Sequence, residues 1–288
     1  MAESRPRPGA DGRRDGSDSK KTYSVRLALA DRVRGPAIRQ AIAGLSLVPG
    51  SVGLDAGCGT GQHSWWLAEE IGSGGRVVGL DRSAENMAVA GMLAPARPNG
   101  GQVDFVNADL HHLPFKDGSF DWAWCCDTLW PVVAADSPVE VVRRLTGAVK
   151  PGGTLALAYW SDQCLLSGYP ALEARLNNAF VATTPYLAGV APGLHFLRAM
   201  GWLQVVGLQK VTATSYVAEW RAPFSTDMSE AVAYCFEMFW GGVQPHVSKD
   251  DWEMYLRLCT PSSDDFILLC PDYYGFLTYT VFSGRVPL

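Results

Sequence analysis

The feature that most constrains the fold of this chain is an alternation of short apolar runs with helical patterns across residues 51–160. The apolar runs, which have the length of strands, occupy residues 51–55, 77–81, 103–107, 122–126 and 154–160. Patterns with helical spacing lie between them, at residues 62–71, 83–93 and 138–148. Strands that are apolar on both faces and alternate with helices are typical of a parallel sheet covered on both sides. The pattern predicts an α/β fold.

The region beyond residue 160 completes this prediction. The alternation loosens there into aromatic-rich helical stretches, with predicted strands near residues 205–212 and at residues 276–282. We therefore predict a doubly wound, mostly parallel seven-stranded sheet of the Rossmann-like kind. It belongs to a single domain over residues 22–288, with helical insertions at about 161–200 and 221–272 that form a lid.

Local signals refine the helices outside the alternating region. A serine followed three residues later by an aspartate, at residues 248–251 and again at 262–265, predicts two helix starts. Residues 23–45 carry apolar side chains at helical spacing, and Pro36 predicts a break into two helices. Residues 1–21 lack aromatic and β-branched side chains, so a disordered tail is predicted.

Composition excludes several classes of protein. The net charge of −5 opposes a phosphate backbone, so no nucleic-acid partner is expected. The seven cysteines include no C-x-x-C pair and no histidine at metal-ligand spacing, which favours a reduced, cytoplasmic protein with no bound metal. The N-terminus lacks a signal segment, and the longest uncharged run, residues 176–197, contains Asn and Pro. Neither secretion nor a membrane span is therefore expected.

A glycine-rich segment connects the first predicted strand to the first helix of the alternating region. Residues 52–61 read Val-Gly-Leu-Asp-Ala-Gly-Cys-Gly-Thr-Gly. Glycines at such a place allow the backbone to approach a ligand, and the helix that follows offers free N–H groups. The G-x-G-x-G spacing lacks the third glycine of the G-x-G-x-x-G dinucleotide fingerprint, which weakens a nicotinamide-binding interpretation.

Acidic residues stand at or just after the ends of three predicted strands. Asp55 and Asp81 end the first and second strands, and Asp109 follows the third. Because ligands of this fold lie across the carboxyl ends of the strands, all three side chains are expected in one crevice. An aspartate after the second strand suits the two hydroxyls of a ribose.

These segments together resemble the class I S-adenosylmethionine (SAM)-dependent methyltransferases, in particular the broad branch that acts on small molecules. Residues 54–61 are similar to the first motif of that family, residues 78–81 to the second, and residues 107–110 to the third. Residues 113–121 resemble the approach to the fourth strand, and residues 150–153 the entry to the fifth. The resemblance covers about residues 50–160, and it implies that the cofactor is SAM.

The resemblance also implies roles for individual residues. At the methionine end of SAM, Gly57, Cys58 and Gly59 would face the cofactor, Asp55 would lie near its amino group, and Cys126 would line the crevice.

At the nucleoside end, the same resemblance assigns four residues. Asp81 would hold the ribose and Arg82 would flank the adenine. Asp109 would accept from the adenine amino group, with the backbone N–H of Leu110 nearby.

Methyl transfer from SAM needs little covalent help, because the sulfonium already provides a good leaving group and the enzyme mainly aligns the reactants. A general base is optional. Asp127, His195 and His246 are the candidates for that role, with His111 and His112 beside them, and no spacing selects among them.

The sequence narrows the acceptor only to a class. After the fourth strand, residues 126–131 read Cys-Asp-Thr-Leu-Trp-Pro, which is not the Asp/Asn-Pro-Pro-Tyr/Phe motif of related enzymes that methylate adenine or glutamine amide nitrogens. This favours a small-molecule substrate. Trp130, Trp220 and Trp240 are predicted to contribute to its pocket, as aromatic side chains often do. A SAM-binding protein without catalysis and a macromolecular methyltransferase remain the alternatives.

Overall fold

The computed structural model describes residues 23–98, 100–130 and 137–288. The disordered tail predicted for residues 1–21 lies outside the described residues. One seven-stranded sheet forms the centre of the described part of the chain. In chain order its strands are β1 (Val52–Ala56), β2 (Arg76–Asp81), β3 (Val103–Asn107), β4 (Phe120–Cys126), β5 (Val149–Cys164), β6 (Gln209–Arg221) and β7 (Tyr274–Arg285).

The strand order across the sheet is β3-β2-β1-β4-β5-β7-β6. Strands β1 to β5 are parallel to their neighbours, whereas β7 pairs antiparallel with both β5 and β6. The predicted doubly wound, mostly parallel seven-stranded sheet is therefore confirmed. The order changes direction between β1 and β4, and such a switch point opens a crevice at the carboxyl ends of the strands.

Eight α-helices accompany the sheet in the described residues. They are α1 (Tyr23–Gly44), α2 (Gln62–Ile71), α3 (Ala84–Leu93), α4 (Pro138–Ala148), α5 (Pro170–Thr183), α6 (Ala199–Val205), α7 (Thr226–Trp240) and α8 (Lys249–Cys259). Helix α1 packs against α2, α7 and β6, while α4 packs against α6. Among the described residues, no helix combines the length and the apolar character that a bilayer crossing requires.

The predicted break of the first helix at Pro36 is wrong. Helix α1 continues through Pro36, which lacks the N–H that a helix interior normally uses. Val33, Ala37 and Ile38, on either side of the proline, are fully buried. The apolar area that they remove from water offsets the loss of one backbone hydrogen bond. Gly35 also allows Trp66 to pack closely against the helix.

Two further boundaries differ from the predictions beyond β5. Residues 199–205 form α6, and β6 begins only at Gln209, after Gly207 has turned the chain with a φ of 88°. The capping pattern at residues 262–265 is followed by a short 3-10 helix, Ile267–Leu269, and not by an α-helix. The pattern at residues 248–251 does start α8, because Ser248 Oγ accepts from the Asp251 N–H at 3.1 Å.

The predicted insertions contain most of the helical material of the second half. Residues 161–200 include α5 and two 3-10 turns, and residues 221–272 include α7 and α8. That these insertions belong to a single domain and form a lid stays a prediction.

Candidate functional site

The glycine-rich loop between β1 and α2 depends on its glycines for both conformation and space. Gly57, Gly59 and Gly61 have φ values of 82°, 55° and 85°, in the left-handed region that favours glycine. A Cβ atom on Gly57 would collide with the side chain of Thr128, and one on Gly61 would collide with Phe105. The loop therefore packs closely on the ends of the neighbouring strands and leaves its own backbone open to the crevice.

A cavity of about 490 Å³ lies at the carboxyl ends of β1, β2 and β4. Most of the residues predicted to bind a cofactor line it, namely Gly57, Cys58, Gly59, Asp81, Arg82, Asp109, Leu110 and Cys126. Asp127 and His111, two of the candidate bases, line it too, as does the predicted acceptor residue Trp130. The structure therefore brings eleven of the predicted residues together in one crevice.

Asp55 lies beneath the crevice and not in its lining. Its side chain is buried, and its Oδ2 atom accepts from Ser64 Oγ at 2.6 Å. Burial raises the pKa of Asp55 to about 6, with the hydrogen bond from Ser64 acting in the opposite direction. This carboxyl group fixes the start of α2 against the end of β1.

Asp81 joins the glycine loop to the start of the following helix. Its Oδ2 atom accepts from the Gly59 N–H at 3.0 Å, and its Oδ1 atom accepts from the Ser83 N–H at 2.8 Å. Oδ1 also accepts from Asn86 Nδ2 at 3.5 Å. An ionised carboxylate has about four acceptor positions, so Oδ2 retains capacity for one more donor. The carboxylate is thus held in place and remains able to accept from a ligand.

Asp109 is held by the residue two positions further on. Its Oδ1 atom accepts from the His111 N–H at 2.9 Å and lies 2.6 Å from the His111 Nδ1 atom. The backbone hydrogen bond from His111 lowers the pKa of Asp109 and outweighs the effect of burial. The Oδ2 atom is left without a hydrogen bond from the described residues in this arrangement. His111 therefore orients Asp109 with one oxygen available at the crevice.

If Asp109 accepts from the adenine amino group of the cofactor, as the family resemblance implies, His111→Ala should weaken the discrimination that Asp109 provides there. The test compares the affinities of S-adenosylhomocysteine and its inosine counterpart, in which an oxygen replaces the exocyclic amino group, by calorimetry. Wild-type protein should prefer the adenosine form. The variant should lose about three- to tenfold of that preference, because the Asp109 carboxylate that accepts the charge-assisted hydrogen bond is no longer held in one orientation. The matched control is His112→Ala, because His112 does not line the cavity. Equal preference in His111→Ala and wild type would contradict this role.

Helix α1 contributes a charged network that covers one end of the crevice. Arg34 donates from Nε to Asp31 Oδ1 at 2.8 Å and from Nη1 to Asp127 Oδ2 at 2.9 Å. His63 Nε2 lies 3.5 Å from Asp31 Oδ1. Burial raises the pKa of Asp31, but the contacts with Arg34 and His63 outweigh it and hold that pKa below its ordinary value. Asp31, Arg34 and His63 all line the cavity.

None of these three residues is predicted as a site residue from the sequence. Arg34 meets Asp127 across 93 positions of the chain, which no local pattern reveals. The one available signal was the spacing of Asp31 and Arg34, which places two opposite charges on one turn of an otherwise apolar helix face.

Asp127 stands at the end of β4 with a φ of 48°, which is unusual for a residue other than glycine. Besides Arg34, its carboxylate accepts from Tyr279 Oη at 2.6 Å and from the Trp160 N–H at 3.1 Å. The backbone conformation and these contacts aim the carboxylate at α1, β5 and β7. Three donors engage the carboxylate, so its geometry is that of a positioning group.

The remaining candidate residues lie elsewhere. His195 stacks on Phe196, and His246 ends a 3-10 turn; neither lines the crevice. Trp220 is buried on β6, and Trp240 is fully buried on α7, where its Nε1 atom donates to Asn177 Oδ1 at 2.8 Å. The structure does not bring either of these indoles to the crevice.

Comparison with protein families finds a match for the part of the chain that forms most of this crevice. Residues 54–157 match the model of a family described as a methyltransferase domain. Methyltransferase GfsG of Streptomyces halstedii is 34% identical over 105 residues, which cover 36% of this chain and 36% of the relative. Demethylmenaquinone methyltransferase of Bacillus cereus is 37% identical over 109 residues, which cover 38% of this chain and 44% of the relative. The chain spans less than half the length of these curated relatives.

Solved structures share the fold over a longer stretch. A candidate methyltransferase, BH2331 from Bacillus halodurans, has a TM-score of 0.54 at 15% identity and covers 87% of this chain and 99% of its own. Phosphoethanolamine N-methyltransferase 2 of Haemonchus contortus, in a complex with S-adenosyl-L-methionine, has a TM-score of 0.55 at 14% identity. The match covers 94% of this chain and 59% of that protein. At such identities the likeness concerns the fold alone.

Proposed function

We propose that this chain transfers the methyl group of SAM to a small molecule by direct displacement, because residues 54–157 match the model of a methyltransferase domain. The observation that carries the proposal is the convergence of the glycine loop, Asp81 and Asp109 on one cavity at the switch point of the sheet.

The residues of the crevice fit SAM in size, shape and charge. The volume of about 490 Å³ falls in the usual range for sites of small ligands. The glycine loop leaves room for the backbone to approach the cofactor, and the ordered carboxylate of Asp81 suits a pair of ribose hydroxyls. The lining contains four aspartates, Asp31, Asp81, Asp109 and Asp127, but only two arginines, Arg34 and Arg82. This excess of acidic side chains favours a ligand with a net positive charge. SAM has such a charge because of its sulfonium group.

A small-molecule acceptor is favoured by three considerations. The curated relatives whose names state a substrate include one that acts on demethylmenaquinone and one that acts on 2-phytyl-1,4-naphthoquinone. The chain is acidic overall, and its sequence after β4 lacks the motif of the enzymes that methylate adenine or amide nitrogens. These considerations favour a small-molecule acceptor whether the acceptor atom is oxygen, nitrogen, sulfur or carbon.

The chain's own residues mainly align the reactants. SAM supplies an electrophilic methyl group with a leaving group already in place, so the protein has to hold the donor and the acceptor in line. Asp81 and Asp109 fix the nucleoside end, and the glycine loop fixes the other. Asp127 holds Arg34 of α1 over the crevice, which excludes water from one end of the site.

The test is incubation of the full chain with methyl-labelled SAM and a small-molecule extract, followed by untargeted mass spectrometry. The proposal predicts at least one labelled small molecule together with S-adenosylhomocysteine. If SAM binds but no small molecule acquires the label, the proposal fails and a SAM-binding protein without catalysis remains. Label in protein or RNA would instead indicate a macromolecular methyltransferase.

A further inference from the structure

Three polar side chains from two helices meet at one end of the crevice. Asp31 and Arg34 reach the cavity from α1, and His63 reaches it from the first turn of α2. Arg34 binds Asp127 at the end of β4, and the ring of His63 lies 6.4 Å from that of Trp124 on the same strand, measured between centroids. These side chains therefore mark the β4 end of the crevice.

The opposite end carries the residues that we assign to the nucleoside of SAM. Asp81 ends β2, and Asp109 follows β3. In the strand order β3-β2-β1-β4, a cofactor with its adenosine over β3 and β2 extends past β1 towards β4. Beyond the sulfur of SAM is an α-amino acid group, with one ammonium and one carboxylate. Asp55 lies beneath the crevice, so the ammonium group needs another acceptor.

Asp31 offers a carboxylate oxygen for a positive group. Its Oδ1 atom accepts from Arg34 Nε at 2.8 Å and lies 2.7 Å from Arg34 Nη2. Its Oδ2 atom receives no hydrogen bond from the described residues. Burial raises the pKa of Asp31, but the contacts with Arg34 and His63 hold it below its ordinary value, so the group is an anion. Asp31 can therefore accept from an ammonium group without giving up its pairing with α1.

His63 offers a buried nitrogen for a negative group. Its side chain is 9% exposed and stacks on Trp66, with 5.3 Å between the ring centroids. The Nε2 atom is buried and has no hydrogen-bond partner among the described residues, since Asp31 Oδ1, at 3.5 Å, is too far away for a full hydrogen bond. The nearby carboxylate favours the form of the ring that carries a proton on Nε2. A ligand carboxylate that accepts from this N–H would remove the cost of leaving it unpaired.

The first turn of α2 adds backbone donors beside His63. Gly61 precedes the helix and has no side chain that could cap it. The N–H of Trp65 bonds to the Gly61 oxygen at 3.2 Å, so the N–H groups of residues 62–64 find no partner within the helix. Gln62 and His63 both line the cavity. The positive end of the helix dipole favours an anion at the same place.

We infer that the β4 end of the crevice binds the α-amino acid group of the methyl donor, with Asp31 accepting from its ammonium and His63 donating to its carboxylate. This inference rests on the proposed function, because it assigns a site to one part of SAM. The two residues make the crevice specific for adenosine ligands that retain both charged groups. Since Asp31 belongs to α1, its contact also joins that helix to the bound cofactor.

Four adenosine ligands test the inference on the wild-type full chain by calorimetry. S-adenosylhomocysteine has both charged groups, two analogues of it lack only the ammonium or only the carboxylate, and 5′-methylthioadenosine lacks both. We expect S-adenosylhomocysteine to bind about tenfold more tightly than either analogue, because each charged group forms a charge-assisted hydrogen bond. 5′-Methylthioadenosine should bind most weakly. Equal affinity for S-adenosylhomocysteine and 5′-methylthioadenosine would overturn the inference.

His63→Phe tests the carboxylate contact, because it removes the nitrogen and keeps a ring against Trp66. The variant should bind the two ligands that carry a carboxylate about tenfold more weakly, and the other two within about twofold of wild type. His246→Phe is the control, since His246 is exposed and does not line the cavity. It should leave all four affinities unchanged.

Asp31→Asn tests the ammonium contact, because it keeps one oxygen for Arg34 and replaces the other with an NH2 group. The variant should bind the two ligands that carry an ammonium about tenfold more weakly, and the other two within about twofold of wild type. Asp227→Asn is the control, because it also removes a partner of an α1 arginine, Arg32, but at a side chain that is 74% exposed. It should change none of the four affinities.

The pattern across ligands separates recognition from a purely structural role. A variant that weakens all four ligands equally has damaged the crevice as a whole, and that result for both variants would overturn the inference. An exchanged pattern, with His63→Phe acting on the ammonium and Asp31→Asn on the carboxylate, would overturn it too. If wild type binds all four ligands equally, the inference fails and the SAM site stands. If wild type binds none of the four, and SAM does not bind either, the proposed function fails with it.

Discussion

Replacing Arg34 with methionine is expected to destabilise the protein by about 3–5 kcal/mol, because it leaves two carboxylates in the covered end of the crevice without their shared cation. The side chain of Arg34 is 14% exposed, and those of Asp31 and Asp127 are 9% and 18% exposed. Chemical denaturation without SAM measures the loss. Adding Asp31→Asn to the variant should recover part of it, since one of the two unpaired charges is removed.

A matched control lies on the same helix. Arg32 pairs with Asp227 at 2.9 Å, but the two side chains are 48% and 74% exposed. Arg32→Met should therefore change the free energy of unfolding by less than about 1 kcal/mol. If Arg34→Met proved as mild as Arg32→Met, the network would not hold α1 over the crevice.

Trp240→Ala is expected to cost about 3–5 kcal/mol of stability, since it removes a fully buried indole from the core. The change also deletes the hydrogen bond to Asn177, whose Oδ1 atom would retain only the donor from Gln163. Thermal and chemical denaturation measure the loss, and Trp252→Ala, at a half-buried position on α8, serves as the milder control.

This prediction separates two interpretations of the aromatic C-terminal half. A structural role lowers stability, while the SAM affinity of the remaining folded protein is unchanged. A variant with wild-type stability and a raised KM for the acceptor would instead assign Trp240 to the acceptor pocket, as its aromatic character predicts from sequence.

The parts of the molecule that the sequence predicts well are those fixed by local signals. Helices α2 and α4 begin and end at the predicted residues, 62–71 and 138–148. Glycines fix the start of the first, and Ser137 followed by Pro138 fixes the start of the second. Asp81 and Asp109 reach the crevice because all parallel strands end at the same edge of the sheet.

The parts that the sequence does not predict depend on contacts between distant segments. Whether a proline breaks a helix is decided by the packing on either side of it, and Pro36 is held inside α1 by its buried neighbours. A buried cation such as Arg34 has the same local pattern as a surface charge until its partners from β4 and β7 are known. For an aromatic residue such as Trp240, the sequence pattern is the same whether the ring lies in the core or lines a ligand pocket.

The affinity for SAM of Asp81→Ala, measured by calorimetry beside wild type, tests the central claim most directly. Asp81 fixes the glycine loop and offers charge-assisted acceptors, each of which is worth about 1.5–3 kcal/mol, so the variant should bind SAM at least tenfold more weakly. Asp104→Ala, at an acid on β3 that pairs with Arg76 and does not line the cavity, should bind as wild type does. Wild-type affinity in Asp81→Ala, in a variant shown to be folded, would contradict the assignment of this crevice to SAM.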